Sequence, residues 1–133
     1  MNREELIARA FEAMKNAYAP YSNYHVGAAL LTKDGQVWLG ANIENSSFGA
    51  TNCAERSAVF AAYSNGVRRD DIAALAIVSD GDRIAAPCGI CRQVLSELMP
   101  MDAPVWLSNG RDHCDTTIRE LLPMAFGMED VIR

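Results

Sequence analysis

A chain of 133 residues, half of them hydrophobic, has the length of one globular domain and the material for a real core, since domains cluster at about 100 to 150 residues. Twelve Lys and Arg against 17 Asp and Glu leave a net charge of −5, the wrong sign for the phosphate attraction that dominates nucleic-acid binding, which argues against a polynucleotide partner. The charged start Met1-Asn2-Arg3-Glu4-Glu5 predicts neither a signal peptide nor a membrane-spanning run, and the expectation is a single cytoplasmic domain over residues 1–133 with no membrane partner.

Asn2 followed by Glu5 makes a capping-box pattern, and Leu6, Ile7, Ala10, Phe11, Met14 and Ala17 recur at helical spacing, which predicts an N-terminal helix. Pro20 and its small polar neighbours break that pattern. Val26 to Thr32 and Gln36 to Ile43 flank the turn signal Lys33-Asp34-Gly35 and predict a β-hairpin. After a loop rich in Asn, Ser and Gly, the Ala-rich stretch from Cys53 to Tyr63 predicts a buried helix, with Cys53 in its first turn and Asn65-Gly66 as a left-handed cap. Ile72 to Val78 is a continuous apolar run suited to a strand buried on both faces, followed by a polar loop from Ser79 to Ala86. Pro87 is expected as the first residue of a helix that runs through Val94, Leu95 and Leu98 until Pro100 stops it, placing Cys88 and Cys91 in the first turn. A short strand from Pro104 to Leu107, a turn at Ser108-Asn109-Gly110, a weak strand near His113 to Thr117 and a short helix from about Ile118 to Leu122 complete the chain. This order predicts an α/β chain with a mixed sheet and helices on both faces, because strand-helix-strand units favour parallel pairing through right-handed crossovers. Both cysteine-bearing helices then begin near one edge of the sheet.

Four cysteines in so apolar a chain, with Cys88 and Cys91 spaced C-x-x-C, point to metal binding or catalysis rather than a disulfide framework. Cys53, Cys88 and Cys91 offer three thiolates, which suit zinc and leave its fourth position open for water. Helix N-termini favour the thiolate form. Glu55, two residues past Cys53, can take a proton from that water while staying outside the ligand set. A closed site completed by Cys114, purely structural, fits the same spacing. Arg56 and Arg92, each directly after a motif residue, are expected to bond to the sulfurs and offset the charge of three thiolates on a divalent ion. His25 and His113 have no ligand spacing and are expected to be structural. Cys53-Ala54-Glu55 followed by Pro87-Cys88-Gly89-Ile90-Cys91 matches the zinc deaminase signature, a ligand, one residue and Glu, then P-C-x-x-C, with cysteine in place of histidine.

The match extends well beyond the metal motif. Tyr21 to Leu31, Gly40 to Asn45, Cys53 to Arg56, Pro87 to Val94 and Glu120 to Pro123 resemble, in order and spacing, the blocks of the small homotetrameric cytidine deaminase family over nearly the whole chain. The resemblance implies a three-layer helix-sheet-helix sandwich around a five-stranded mixed β-sheet, with one Zn2+ per subunit. It implies hydrolytic loss of ammonia from cytidine or deoxycytidine, a step of pyrimidine salvage, with Glu55 as the catalytic proton carrier and Arg56 balancing the zinc-site charge. Asn42 and Glu44 would hold the ribose 3′-hydroxyl, Tyr24 would pack its ring on the pyrimidine, and Ala54 would touch the substrate. Phe126 would reach into a neighbouring subunit's site, so that active sites lie at subunit interfaces of a homotetramer. Tyr24 stands where the family usually has Phe, Phe48 where it commonly has Tyr, and Ile90 where Ala is usual. Two alternatives accompany this reading: a deaminase of another aminopyrimidine nucleoside such as blasticidin S, and a structural four-cysteine zinc module. No basic cluster near the motifs supplies the phosphate cradle that a nucleotide substrate would need.

Overall fold

The computed structural model describes residues 1–132. In chain order the elements are helix α1 (Arg3–Met14), strands β1 (Val26–Thr32) and β2 (Val37–Ala41), helix α2 (Ala54–Ser64), strand β3 (Ile72–Ser79), helix α3 (Gly89–Leu98), strands β4 (Val105–Ser108) and β5 (His113–Thr116), and the single-turn helix α4 (Ile118–Leu121). The five strands form one sheet in the order β2-β1-β3-β4-β5. Every neighbouring pair is antiparallel except β3 and β4. That parallel pair is the one whose strands are joined by a helix, as a crossover connection requires.

Alternation along β1 and β3 sends side chains to two separate cores. Ala29 and Leu31 with Ala74, Ala76 and Val78 pack on Leu6, Ile7 and Ala10 of α1. On the other face Ala28 and Leu30 with Leu75 and Ile77 meet Ala58 and Val59 of α2, Leu95 of α3 and Ile118 of α4. The result is the expected helix-sheet-helix sandwich, with α1 alone on one side and three helices on the other.

The capping box at Asn2 and Glu5 forms as the pattern predicts, although the helix stops at Met14 and leaves Ala17 outside. Asn65-Gly66 closes α2, with Gly66 in the left-handed region and the Val67 N–H returning to the Ala62 carbonyl. At Gly40 of β2 a side chain would stand 2.4 Å from the Ala54 carbonyl oxygen and 2.5 Å from the Ala58 nitrogen. Glycine there lets the first turn of α2 lie directly on the strand, which fixes the height of Cys53 and Glu55 over the sheet.

The second hairpin strand is shorter than the sequence pattern indicates and ends at Ala41. Ile43 pairs instead with Tyr18 and Asn52. The turning point is Asn42, whose side-chain amide bonds to the chain of Tyr24 and Val26. Asn42 and Glu44 therefore sit on the connection past the strand rather than on the strand itself.

Candidate metal centre

Cys53 and Cys88 are the N-caps of α2 and α3, each with extended backbone angles and no side-chain capping hydrogen bond. This moves both sulfurs one residue earlier than the expected first turn. Pro87 accordingly precedes the cap, and Gly89 takes the first helical position. The first N–H groups of a helix have no intrahelical partner, so each start offers donors and partial positive charge near the thiols.

The three sulfurs of Cys53, Cys88 and Cys91 all lie within 4.8 Å of one another. Cys53 Sγ and Cys88 Sγ are 3.8 Å apart. Zinc–sulfur bonds of about 2.3 Å at tetrahedral angles place sulfurs roughly 3.8 Å apart, so this soft, preassembled donor set fits zinc. Cys114 is exposed on β5 and lies outside the cluster, so it supplies no fourth thiolate and the closed four-cysteine arrangement is not formed.

Glu55, at the second position of α2, is only 4% exposed. The Cys91 thiol donates to its Oε1 at 3.3 Å. Burial, and next the Cys53 thiolate, push the Glu55 carboxyl up to about 7, against the pull of Cys91 and Arg56. The hydrogen bond from Cys91 brings the Cys53 thiol down to about 5 despite burial, with Arg56 and Cys88 adding to the effect. Giving that hydrogen bond, together with burial and the nearby Glu55, pushes Cys91 up. The protein alone thus favours one thiolate in the cluster, and a bound cation releases the remaining protons.

Arg56 Nη2 donates to Cys53 Sγ at 3.4 Å, the charge-balancing contact expected of it. Arg92 does not join it. Its Nε donates to the Pro87 carbonyl at 2.7 Å and its Nη1 to the Leu121 carbonyl at 2.9 Å. Arg92 lies four residues after its capping cysteine and Arg56 three, a difference of roughly 100° around the helix, which turns Arg92 off the sulfur side.

A cavity of about 530 Å³ opens over the cluster, with Cys53, Cys88 and Glu55 at its base and Tyr24, Asn42 and Ala54 along its sides. The Asn42 amide is engaged: Oδ1 accepts from the Val26 N–H at 2.9 Å and Nδ2 donates to the Tyr24 carbonyl at 2.8 Å. Glu44 lines an adjoining hollow with Tyr21, Ser22 and Phe48, and Thr51 borders both. Its carboxylate accepts from the backbone N–H groups of Tyr21 and Ser22 and from the Ser22 hydroxyl. The bond from the Ser22 hydroxyl is the main reason that carboxyl lies below its usual range. Phe126 is 61% exposed and borders a third hollow beside the C-terminal segment. Within one chain, then, Tyr24, Asn42 and Ala54 gather at the metal-site cavity while Glu44 and Phe126 do not. The opposite wall, residues 81–86, carries no motif or periodicity. Its one legible signal is that it follows the carboxyl end of a parallel strand, where ligands bind in open α/β sheets.

A family model described as the cytidine and deoxycytidylate deaminase zinc-binding region matches residues 1–106. The cytidine deaminase of Halalkalibacterium halodurans is 54% identical over 132 residues, covering 98% of each chain. The crystal structure of cytidine deaminase from Burkholderia pseudomallei superposes with a TM-score of 0.92 at 48% identity, covering 95% of this chain and all of that one. The blasticidin-S deaminase of Bacillus cereus is more distant, at 34% identity over 128 residues, covering 92% of this chain and 90% of that one.

Proposed function

The chain belongs to the zinc-binding cytidine deaminase family, and we propose that it converts cytidine and deoxycytidine to uridine and deoxyuridine by hydrolysis, with release of ammonia. The observation that carries this reading is the set of three mutually close sulfurs with a buried carboxylate beside them at the base of one cavity.

Cys53, Cys88 and Cys91 hold the zinc ion. When bound, zinc supplies Lewis acidity that makes hydroxide available near neutral pH. Glu55 does the proton work. Its carboxylate takes a proton from the attacking water as oxygen bonds to C4 of the pyrimidine and delivers that proton to N3. It then carries the second water proton to the exocyclic amine, the C4–N bond breaks, and ammonia leaves with Glu55 again ionised. One water proton ends on N3 of uridine and the other in ammonia, so the reaction balances. Arg56, through its bond to Cys53 Sγ, offsets the surplus negative charge of three thiolates.

Tyr24 packs its ring on the pyrimidine, and Ala54 walls the same space. Asn42 and Glu44 receive the ribose 3′-hydroxyl, Glu44 exchanging its Ser22 partner for the sugar. Phe126 completes a neighbouring subunit's site in a homotetramer, a role supported by the exposed apolar run of Met124, Phe126 and Met128. The reading also includes a single domain over residues 1–133 and a cytoplasmic place in pyrimidine salvage.

Incubation of the zinc-loaded protein with cytidine, deoxycytidine and cytidine monophosphate, read as ammonia released, tests the proposal. Turnover of both nucleosides is expected. No ammonia from any of the three overturns the deaminase reading, and turnover of the monophosphate alone replaces the nucleoside by a nucleotide.

A further inference from the structure

His25 and Asp80 are 55 positions apart in the sequence and are joined three times. The His25 N–H donates to Asp80 Oδ1 at 3.0 Å, His25 Nδ1 lies 2.6 Å from Asp80 Oδ2, and the Asp80 N–H donates to the His25 carbonyl at 3.2 Å. Neither residue lines the metal-site cavity, yet each adjoins one that does, Tyr24 on one side and Gly81 on the other. Those two neighbours meet. A Cβ at Gly81 would stand 2.7 Å from Cε1 of Tyr24, so the ring rests directly on the Gly81 backbone.

The segment bearing Tyr24 is pinned residue by residue. The Tyr24 N–H donates to Ser22 Oγ and its carbonyl accepts from Asn42. Asn23 before it takes a left-handed φ of 55°, a conformation asparagine tolerates better than most side chains. Asn42 ties this segment to its own side of the cavity, and His25 ties it across to the opposite wall. Burial pushes the Asp80 carboxyl up, and the hydrogen bonds from the His25 backbone and ring outweigh it and hold the group below its usual range. From the far side Asn109 Nδ2 donates to the carbonyls of Gly81 and Asp82 at 3.2 and 3.3 Å, so the start of the loop is held at both flanks.

We propose that the His25–Asp80 pair is a positioning clasp for the nucleoside: it ties the strand start that carries Tyr24 to the loop over residues 81–86, seats the Tyr24 ring on Gly81, and so fixes the gap between the two walls that receive the base. The substrate half of this inference rests on the deaminase reading; the anchoring half does not. Because the cysteines and Glu55 stand on the starts of α2 and α3, the clasp acts on binding and leaves the chemical step alone.

Replacement of either partner, His25→Ala or Asp80→Ala, is expected to raise KM for cytidine about tenfold, the worth of one lost hydrogen bond of roughly 1.4 kcal/mol, with kcat and zinc content held. The double variant should be no worse than either single one, because both remove the same contact. His25→Asn, whose side-chain N–H can take the place of the ring nitrogen, should recover most of the loss. Gly81→Ala leaves the clasp intact but displaces the Tyr24 ring, and should raise KM in the same way. Trypsin cleavage after Arg83, in the loop itself, supplies a readout independent of turnover: nicking of the zinc-loaded protein should speed up severalfold in both alanine variants and return toward normal in His25→Asn. Unchanged nicking in both alanine variants overturns the clasp. Faster nicking with unchanged KM overturns its role in substrate binding, as does a fall of kcat in step with zinc loss. Failure of the parent protein to turn over cytidine defeats the deaminase reading and leaves the nicking comparison to decide the anchoring.

Discussion

At the start of α2 the capping Cys53 is followed by a buried carboxylate, Glu55, and then by Arg56, which donates to the Cys53 sulfur. At the start of α3 the capping Cys88 is followed by a second thiol, Cys91, and then by Arg92, which turns away to the carbonyls of Pro87 and Leu121. Two helix starts of the same design thus divide the work. The α2 start contributes one sulfur, the proton carrier and the compensating charge. The α3 start contributes two sulfurs, and its arginine fastens the chain before the cap to the end of α4. A one-residue change in the distance between cysteine and arginine separates an electrostatic role from an architectural one.

Replacement of Glu55 by Gln should break the α2 half most severely. The amide keeps the size and removes the proton carrier, so turnover should fall by about 10²–10⁴-fold while zinc stays at one ion per chain, as read by steady-state kinetics beside metal analysis. Loss of the metal instead would make Glu55 part of the ligand shell. The arginine pair sharpens the contrast. Arg56→Ala should cost roughly 10- to 100-fold in zinc affinity or kcat/KM, the usual range for groups that support metal ligands, with little change in denaturation midpoint. Arg92→Ala should lower stability by about 2 kcal/mol, the scale of charge-assisted hydrogen bonds, measured by urea unfolding, and leave the zinc affinity of the folded protein near its parent value. Identical phenotypes would erase the distinction between the two helix starts. The smallest effect is expected at Cys114, exposed on β5: Cys114→Ser should leave zinc stoichiometry unchanged and shift stability by less than about 0.5 kcal/mol.

The helix starts were legible because local chemistry writes them into the sequence, in the Cys-Ala-Glu triplet and in Pro-Cys-x-x-Cys. What remained hidden was a matter of one residue and of long-range partners. Pro87 is a good first helical residue, yet Cys88 takes the extended cap conformation and shifts the helix forward by two. Asn42 looks like a strand residue until its amide finds Tyr24 and Val26, sixteen and more positions away, and ends β2 early. Arg92 beside a cysteine suggested a sulfur contact, and only the packing of α3 on α4 reveals the Leu121 carbonyl that draws it off. The loop over residues 81–86 has neither periodicity nor motif, so its place as a cavity wall emerges only when β3, α3 and β1 are assembled.

X-ray absorption at the zinc edge of the loaded protein tests the joint claim of both helix starts most directly. Three sulfur neighbours at about 2.3 Å and one lighter atom are expected, the signature of a three-cysteine site with a position free for chemistry. Four sulfur neighbours would contradict it, closing the position on which the hydrolytic reading depends.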